Sequence, residues 1–197
     1  SFNNGESYWI DNVSVKEYSG QEVVPDSGCG SWLWEPQSTN LIVQSELFTA
    51  ASWNKTNSSV VSGFSSPSGN LTAFKLINNA TASVNKYIRT IPPATSGIDY
   101  SLSVFAKKGE YDKLRIEDGY NSQGAWFDLS NGTLGTVGNL VVAKIEDYGN
   151  GWYKCSATRP SVTTSIFFVI AGSNSQSLQV GDGTSGIYIW GAQLEQQ

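Results

Sequence analysis

The sequence predicts an all-β protein, an antiparallel β-sandwich of the jelly-roll type. Only 15% of the 197 residues are charged and 12% are aromatic, a balance that favours strands over helix bundles. Short runs alternate apolar and polar residues, and turn pairs such as Asn-Gly and Asp-Gly separate them. Several short strands without a long helical pattern are typical of sandwich folds.

The predicted strands are runs of period two that are bounded by turn residues. They cover residues 41–44, 73–76, 86–91, 100–106, 113–117, 125–129, 141–146, 152–158, 165–171 and 186–194. One short helical turn is predicted over residues 46–53.

Residues 31–197 are predicted to form the jelly roll, with residues 19–30, rich in turn residues, as a linker. Residues 1–18 end in an alternating strand that is similar to the closing segment of the chain. We therefore interpret them as the last strand of a preceding module, or as a strand lent to this one, with a chance likeness as the alternative. Because the chain contains no methionine, we expect it to be a piece of something longer or a processed product.

Composition also excludes several functions. The net charge of −5 opposes the broad electrostatic attraction that nucleic-acid binding needs. The chain has no histidine, which excludes Ser-His-Asp triads and His-ligated zinc. No run of apolar residues is long enough for a transmembrane helix. We expect Cys155 to be a buried free thiol; a disulfide to Cys29 is the alternative and would suit an extracellular protein.

The candidate ligand site follows from strand alternation. If Phe127 faces the core, Trp126 faces away from it, where a large ring can serve as a flat contact for the apolar face of a ligand. A second layer of residues covering this ring is the alternative. The same alternation predicts a shared outer face, with Tyr120 in the loop between the two strands. This face holds Lys113, Arg115 and Glu117. The face would extend to Tyr87 and Arg89 if their strand contained a bulge. The bulge is needed because Ile88 and Ile91 cannot both face inward in a regular strand.

The cations of this face, together with Lys86, suggest a local basic patch for the sulfate or carboxylate groups of an anionic ligand, with ordinary solvated side chains as the alternative. Nothing marks Glu117, Asp118 and Asp128 as a catalytic pair, so we expect no enzymatic activity. Asp182 lies in a Gly-Asp-Gly loop and is a candidate calcium ligand or a turn residue. We expect Trp152, Tyr188 and Trp190 to pack in the core or between the sheets.

Four segments occur in a distinctive order. Trp-Glu-Pro-Gln-Ser-Thr-Asn-Leu stands at 34–41, Ala-Trp-Phe-Asp-Leu at 125–129, Gly-Asn-Gly-Trp-Tyr-Lys-Cys-Ser at 149–156 and an aromatic closing strand at 181–195. Together they resemble a jelly-roll carbohydrate-binding module of the kind found in secreted bacterial polysaccharide-degrading enzymes and in phage tail proteins.

This resemblance implies a non-catalytic module that tethers a secreted or surface enzyme to a polysaccharide, often with a structural calcium ion. The implied partners are the polysaccharide and the catalytic domain of the same parent chain, and a tethering module is expected to be a monomer. The alternative is a structural or receptor-binding domain of a phage tail or an adhesin.

Overall fold

A computed structural model describes residues 39–79, 86–95, 97–118, 124–139, 141–159, 166–171 and 180–197. The described residues lie in one compact unit, Thr39–Gln197. The segments predicted as a preceding strand and a linker, together with Cys29 and Tyr120, lie outside the described residues. In the described part of the chain, no helix is long and apolar enough to cross a membrane.

The regular elements of the described residues are strands. In chain order they are β1 (Asn54–Thr56), β2 (Ser58–Phe64), β3 (Ala73–Asn78), β4 (Tyr87–Thr90), β5 (Tyr100–Lys107), β6 (Lys113–Asp118), β7 (Gly124–Asp128), β8 (Thr133–Val137), β9 (Val142–Asp147), β10 (Trp152–Arg159), β11 (Ile166–Ala171) and β12 (Gly186–Gln196).

The strands form two antiparallel six-stranded sheets. The first sheet has the order β1-β4-β11-β6-β7-β8 and the second sheet has the order β2-β3-β12-β5-β10-β9. Apolar side chains from both sheets meet in one core cluster, which includes Ile88, Leu114 and Phe127 from the first sheet and Val104 and Ile189 from the second. This arrangement confirms the predicted antiparallel β-sandwich. The finer jelly-roll assignment stays a prediction.

Strand alternation decides which side chains enter this core. Leu114 and Ile116 of β6 are almost completely buried, and so is Phe127 of β7. Side chains of neighbouring positions therefore point to the outer face of the first sheet. Cys155 of β10 is buried in the same core as a free thiol, as predicted, and burial raises its pKa.

The sequence misplaced some elements. Residues 41–44 form turns instead of a strand, and residues 46–53 form successive turns closed by the bonds Ala50 N–H to Leu47 O and Trp53 N–H to Ala50 O. β1, β2 and β8 were not predicted, because their residues carry few large apolar side chains. The bulge expected near Ile88 is unnecessary: Ile88 is buried within β4, whereas Ile91 lies beyond the strand and is 64% exposed.

Gly191 interrupts the long β12. Its φ of +61° lies in the left-handed region that favours glycine, and the register of β12 against β5 shifts between Trp190 and Gln193. Because of this bulge, Trp190 and Gln193 occupy the same face of the second sheet although they are three residues apart. The bulge therefore places the amide of Gln193 next to the aromatic side chain of Trp190 on the outer face.

Candidate functional site

The outer face of the first sheet brings most of the predicted site residues together. Arg115 of β6 is the direct cross-strand partner of Trp126 of β7, and Lys113 is the partner of Asp128. On the other side of β6, position 169 of β11 pairs with both Arg115 and Tyr87. Position 167 of β11 pairs with both Glu117 and Arg89. These residues therefore occupy the same face, with Tyr87, Arg115 and Trp126 in one row across the sheet.

The centre of this face is a guanidinium held from two sides. Nη1 of Arg115 lies 2.9 Å from Oε2 of Glu117, which is two positions further along β6 and so points to the same side. The guanidinium carbon of Arg115 lies over the indole of Trp126, 5.7 Å from the ring centroid. An ion pair and a cation–π contact thus fix the plane and position of one hydrogen-bond donor group.

Trp126 does not present an open ring. The side chain lies on the predicted outer face, but only 5% of Trp126 is exposed, and it is not a member of the core cluster. The expectation of an exposed plate was therefore wrong: the indole is buried, and the guanidinium of Arg115 lies over it.

Lys113 is fully compensated by carboxylates. Its ammonium lies 2.9 Å from Oδ2 of Asp128 and 3.1 Å from Oδ2 of Asp112. Burial favours the neutral amine, but the two aspartates outweigh it and raise the pKa of Lys113. Burial likewise acts to raise the pKa of Asp128, yet hydrogen bonds from Ser130 and Lys113 lower it overall. Both partners of the Lys113–Asp128 pair are therefore charged at neutral pH.

The face is not the basic patch that the sequence suggested. Arg89, Lys113 and Arg115 are matched in number by three carboxylates, those of Asp112, Glu117 and Asp128. Lys86, the fourth predicted cation, is buried, and desolvation lowers its pKa. Alternation along β6 places Arg115 and Glu117 side by side, but it could not show that Lys113 binds Asp128, because that pair depends on the register between β6 and β7.

Glu117 is the carboxylate with the opposite behaviour. Burial raises its pKa, and the nearby charge of Arg115 offsets only part of that rise. The ionised carboxylate of Glu117 is therefore less stabilised by its surroundings than the ionised carboxylate of Asp128.

Tyr87 and Arg89 form the other side of the face. Both are half-buried and alternate with the buried Ile88. Because β11 lies between β4 and β6, two strand spacings of about 4.8 Å separate Tyr87 from Arg115 at the backbone. The two residues therefore lie about 10 Å apart across the face at the backbone.

Asp182 closes its own turn. Its Oδ1 accepts hydrogen bonds from the N–H groups of Thr184 (2.8 Å) and Ser185 (2.6 Å), and its Oδ2 accepts one from the Ser185 hydroxyl (2.6 Å). These bonds, that of the Ser185 hydroxyl foremost, lower the pKa of Asp182 well below its usual range. Among the described residues, no three His, Cys, Asp or Glu form a group that could hold a metal ion. The hydrogen bonds fit the alternative of a turn residue, and the role of Asp182 as a calcium ligand stays a prediction.

The second sheet differs from the prediction in its aromatic residues. Tyr188 and Trp190 were expected in the core, but Ile187 and Ile189 fill the inward positions of β12 and are completely buried. Tyr188 and Trp190 therefore lie on the outer face of the second sheet and are half-buried. The alternation Ile-Tyr-Ile-Trp was visible in the sequence and could have shown this. Trp152 lies on the same outer face, since it pairs with Lys107, and is 2% exposed.

The fold and this face define a β-sandwich with a charged and aromatic surface on one sheet. No protein-family model matches the chain, and no curated protein matches it. Solved structures of low identity are similar to it, and they include both kinds of protein that the sequence motifs resemble, a carbohydrate-binding module and a phage tail protein.

A domain of bacteriophage CBA120 tailspike protein 4, described as enzymatically active, is 15% identical, with a TM-score of 0.47 over 80% of this chain and 21% of that chain. This chain thus spans about a fifth of the tailspike chain. The module TmCBM61, solved with beta-1,4-galactotriose, is 13% identical, with a TM-score of 0.45 over 81% of this chain and 100% of that one. The K1 cleaved adhesin domain of Lys-gingipain from Porphyromonas gingivalis W83 is 15% identical, with a TM-score of 0.36 over 82% and 96% of the two chains.

Proposed function

We propose that this chain is a non-catalytic carbohydrate-binding module that holds a polysaccharide on the outer face of the first sheet. The observation that carries the proposal is the guanidinium of Arg115, fixed between Glu117 and Trp126 in the same row as Tyr87. A planar donor group held in place loses little conformational entropy when it binds hydroxyl groups.

In this proposal the apolar face of a sugar ring packs on Tyr87, and the hydroxyl edge meets Arg115, Glu117 and Arg89. Aromatic rings suit the C–H face of a sugar, whereas guanidinium and carboxylate groups suit its hydroxyl donors and acceptors. Because Tyr87 and Arg115 lie about 10 Å apart at the backbone, the ring on Tyr87 and the hydroxyl groups at Arg115 belong to neighbouring sugar units of the polysaccharide. Tyr120, in the loop that joins β6 and β7, is proposed as a further ligand contact.

The charges of this face favour a neutral polysaccharide over an anionic one. Three cations stand against three carboxylates, and each of Lys113 and Arg115 already binds a carboxylate. A sulfate or uronate would have to displace these intramolecular partners, while a hydroxyl group can share them.

The carboxylates of the face support binding without hydrolysis. Glu117 and the cross-strand partner of Asp128 are four positions apart along β6, about 13 Å at the backbone, and each carboxylate binds a different cation, Arg115 or Lys113, so the two are not arranged as a glycosidase pair. Asp112 and Asp128 lie close together, but both bind Lys113, and the pKa of Asp128 is lowered, which is the wrong direction for a general acid.

The biological setting follows from the same proposal. A binding module acts by raising the local concentration of a catalytic domain at its substrate, so we propose that it belongs to a larger secreted or surface enzyme and acts as a monomer. The second candidate is a phage-tail or adhesin domain. Light scattering separates the two, because tail fibres are trimeric and a tethering module is not.

A polysaccharide array with neutral, uronic and sulfated glycans tests the proposal. We expect the full chain to bind a neutral polysaccharide without releasing reducing ends, and Arg115→Ala and Tyr87→Ala each to reduce that binding about tenfold. Tyr148→Ala, on the other sheet, is the matched control, and circular dichroism checks that each variant is folded. Neutral binding that survives both first-sheet substitutions, no neutral binding at all, or the appearance of reducing ends would overturn the proposal.

A further inference from the structure

The outer face of the second sheet carries rings and lysines in alternation. One row crosses five strands, and its register is continuous from β2 to β10. In order across the sheet, this row consists of Val61, Lys75, Tyr188, Lys107 and Trp152.

A second row runs beside it, two residues further along β12. It consists of Trp190, Phe105, Lys154 and Glu146. The first row alternates lysines with aromatic rings, and the second places two adjacent rings beside a lysine and a glutamate; we call the two rows the aromatic rows.

The rings of this face contact one another. Trp190 and Phe105 have centroids 5.4 Å apart, and Tyr148 packs edge-on against Phe105 at 4.8 Å. Phe64 and Tyr188 lie 5.0 Å apart at the other end. Tyr148 is 55% exposed, so part of this ring surface is open to a ligand.

The central indole is fixed in place. Nε1–H of Trp190 donates a hydrogen bond of 3.1 Å to Oγ1 of Thr72, and the following Gly191 supplies the bulge described above. Beyond the bulge, Gln193 pairs with Ser103, which also pairs with Ser156. Hydroxyl and amide groups therefore border the aromatic rows on one side.

The described residues of this face carry a small excess of cations in a chain of net charge −5. Four lysines, Lys75, Lys107, Lys144 and Lys154, stand against the carboxylates of Glu110, Glu146 and Glu195. Lys75 binds Glu110 and Lys144 binds Glu146, each at 2.7 Å. Within the part of the chain that the structure describes, Lys107 has no carboxylate within ion-pair distance. Glu146, the cross-strand neighbour of Lys154, already binds Lys144.

We propose that the aromatic rows are a second binding surface, one that takes an anionic polysaccharide. Sugar rings pack against Tyr148, Phe105 and Trp190, and the carboxylate or sulfate groups approach Lys107 and Lys154. Lys107 and Lys154, which lie beside half-buried rings and the exposed Tyr148, complement a chain that is apolar on its ring faces and negative at its edges. This surface lies on the opposite sheet from the site proposed for a neutral polysaccharide. An experiment can therefore disprove either proposal without affecting the other.

Matched pairs of polymers test the charge requirement. Dextran sulfate is compared with dextran, and polygalacturonate with its methyl ester, by calorimetry with the full chain. We expect binding of at least one charged polymer and of neither uncharged partner, and weaker binding at about 300 mM salt than at about 20 mM. The sulfate and carboxylate arms distinguish the two sources of negative charge.

The variants test the location. Lys107→Gln is expected to weaken the binding of the charged polymer about threefold and Tyr148→Ala about fivefold. Lys108→Gln, in the turn after β5, removes the same charge and is the control for Lys107→Gln. Arg115→Ala tests whether the polymer binds the first sheet. Each of these two variants is expected to leave the affinity for the charged polymer nearly unchanged. If Arg115→Ala abolishes polyanion binding while Lys107→Gln leaves it intact, the polyanion binds the first sheet and the inference is wrong.

A protein partner is the competing occupant. Sedimentation tests this alternative. If the chain self-associates, Tyr148→Ala makes it monomeric and the charged polymers do not bind, the aromatic rows are an interface between copies of the chain. That result would overturn the inference. A monomer that binds the charged polymers with the expected variant pattern supports it.

Discussion

Arg115 lies over the indole ring of Trp126, its direct cross-strand partner, with the guanidinium carbon 5.7 Å from the ring centroid. The same guanidinium binds Glu117 at 2.9 Å. Trp126 therefore supports a charged group from below instead of acting as the contact surface itself. This relationship changes what substitutions of the two residues should do.

Trp126→Ala should destabilise the fold by about 3 kcal/mol, because it removes a buried indole and leaves a cavity under Arg115. Urea unfolding measures the loss. Tyr148→Ala, which removes a half-exposed ring, should cost less than about 1 kcal/mol and serves as the control. An unchanged stability with lost glycan binding would show that the indole is open in solution.

Arg115→Lys should weaken neutral-glycan binding nearly as much as Arg115→Ala, about tenfold, because an ammonium lacks the planar fork of donors. Calorimetry compares the two variants with the unmodified chain, and Lys108→Ala controls for a simple loss of charge. Full rescue by lysine would show that the site requires only a positive charge.

Glu117→Gln should behave differently at two pH values. Burial raises the pKa of Glu117, so its contribution to stability is greatest below the ordinary value of 4.5 and is lost as the pH rises through the folded-state pKa. The neutral glutamine is therefore expected to be better tolerated, relative to glutamate, at pH 7 than at pH 4. Urea unfolding at both values gives the comparison. A larger loss at pH 7 than at pH 4 would mean that the ion pair with Arg115 outweighs desolvation.

Asp182→Asn should lower stability at neutral pH, because it removes the charge that accepts three hydrogen bonds in the turn. The pKa of Asp182 is lowered, so its contribution is present above the ordinary value of 3.8 and is lost as the pH falls through the folded-state pKa. Thermal unfolding should thus show the difference shrinking in acid. Calcium or a chelator should leave the melting temperature unchanged; a calcium-induced rise that Asp182→Asn abolishes would make Asp182 a ligand.

The sequence predicted the sandwich and the outer face because both depend on local alternation. Leu114 and Ile116 alternate with Lys113, Arg115 and Glu117, and the structure keeps that division. The short β1 and β8 escaped prediction, because isolated strands of three to five residues with polar composition are held by their neighbours in the sheet.

The side-chain pairs between neighbouring strands could not be predicted from the sequence. That Arg115 covers Trp126, or that Asp112 and Asp128 share Lys113, depends on register, which a single strand does not encode. The outward orientation of Tyr188 and Trp190 was predictable in principle, since Ile187 and Ile189 alternate with them and are buried. Large aromatic side chains favour a core interpretation, and here that preference was misleading.

The most direct test of the proposed function is an NMR titration of the full chain with soluble oligosaccharides of the neutral polysaccharide selected on the array. The account predicts that amide and side-chain signals of Tyr87, Arg89, Arg115 and Glu117 shift on binding, while those of Lys107, Phe105 and Tyr148 do not. Shifts confined to the second sheet, or to neither sheet, would contradict the assignment of neutral-glycan binding to the first sheet.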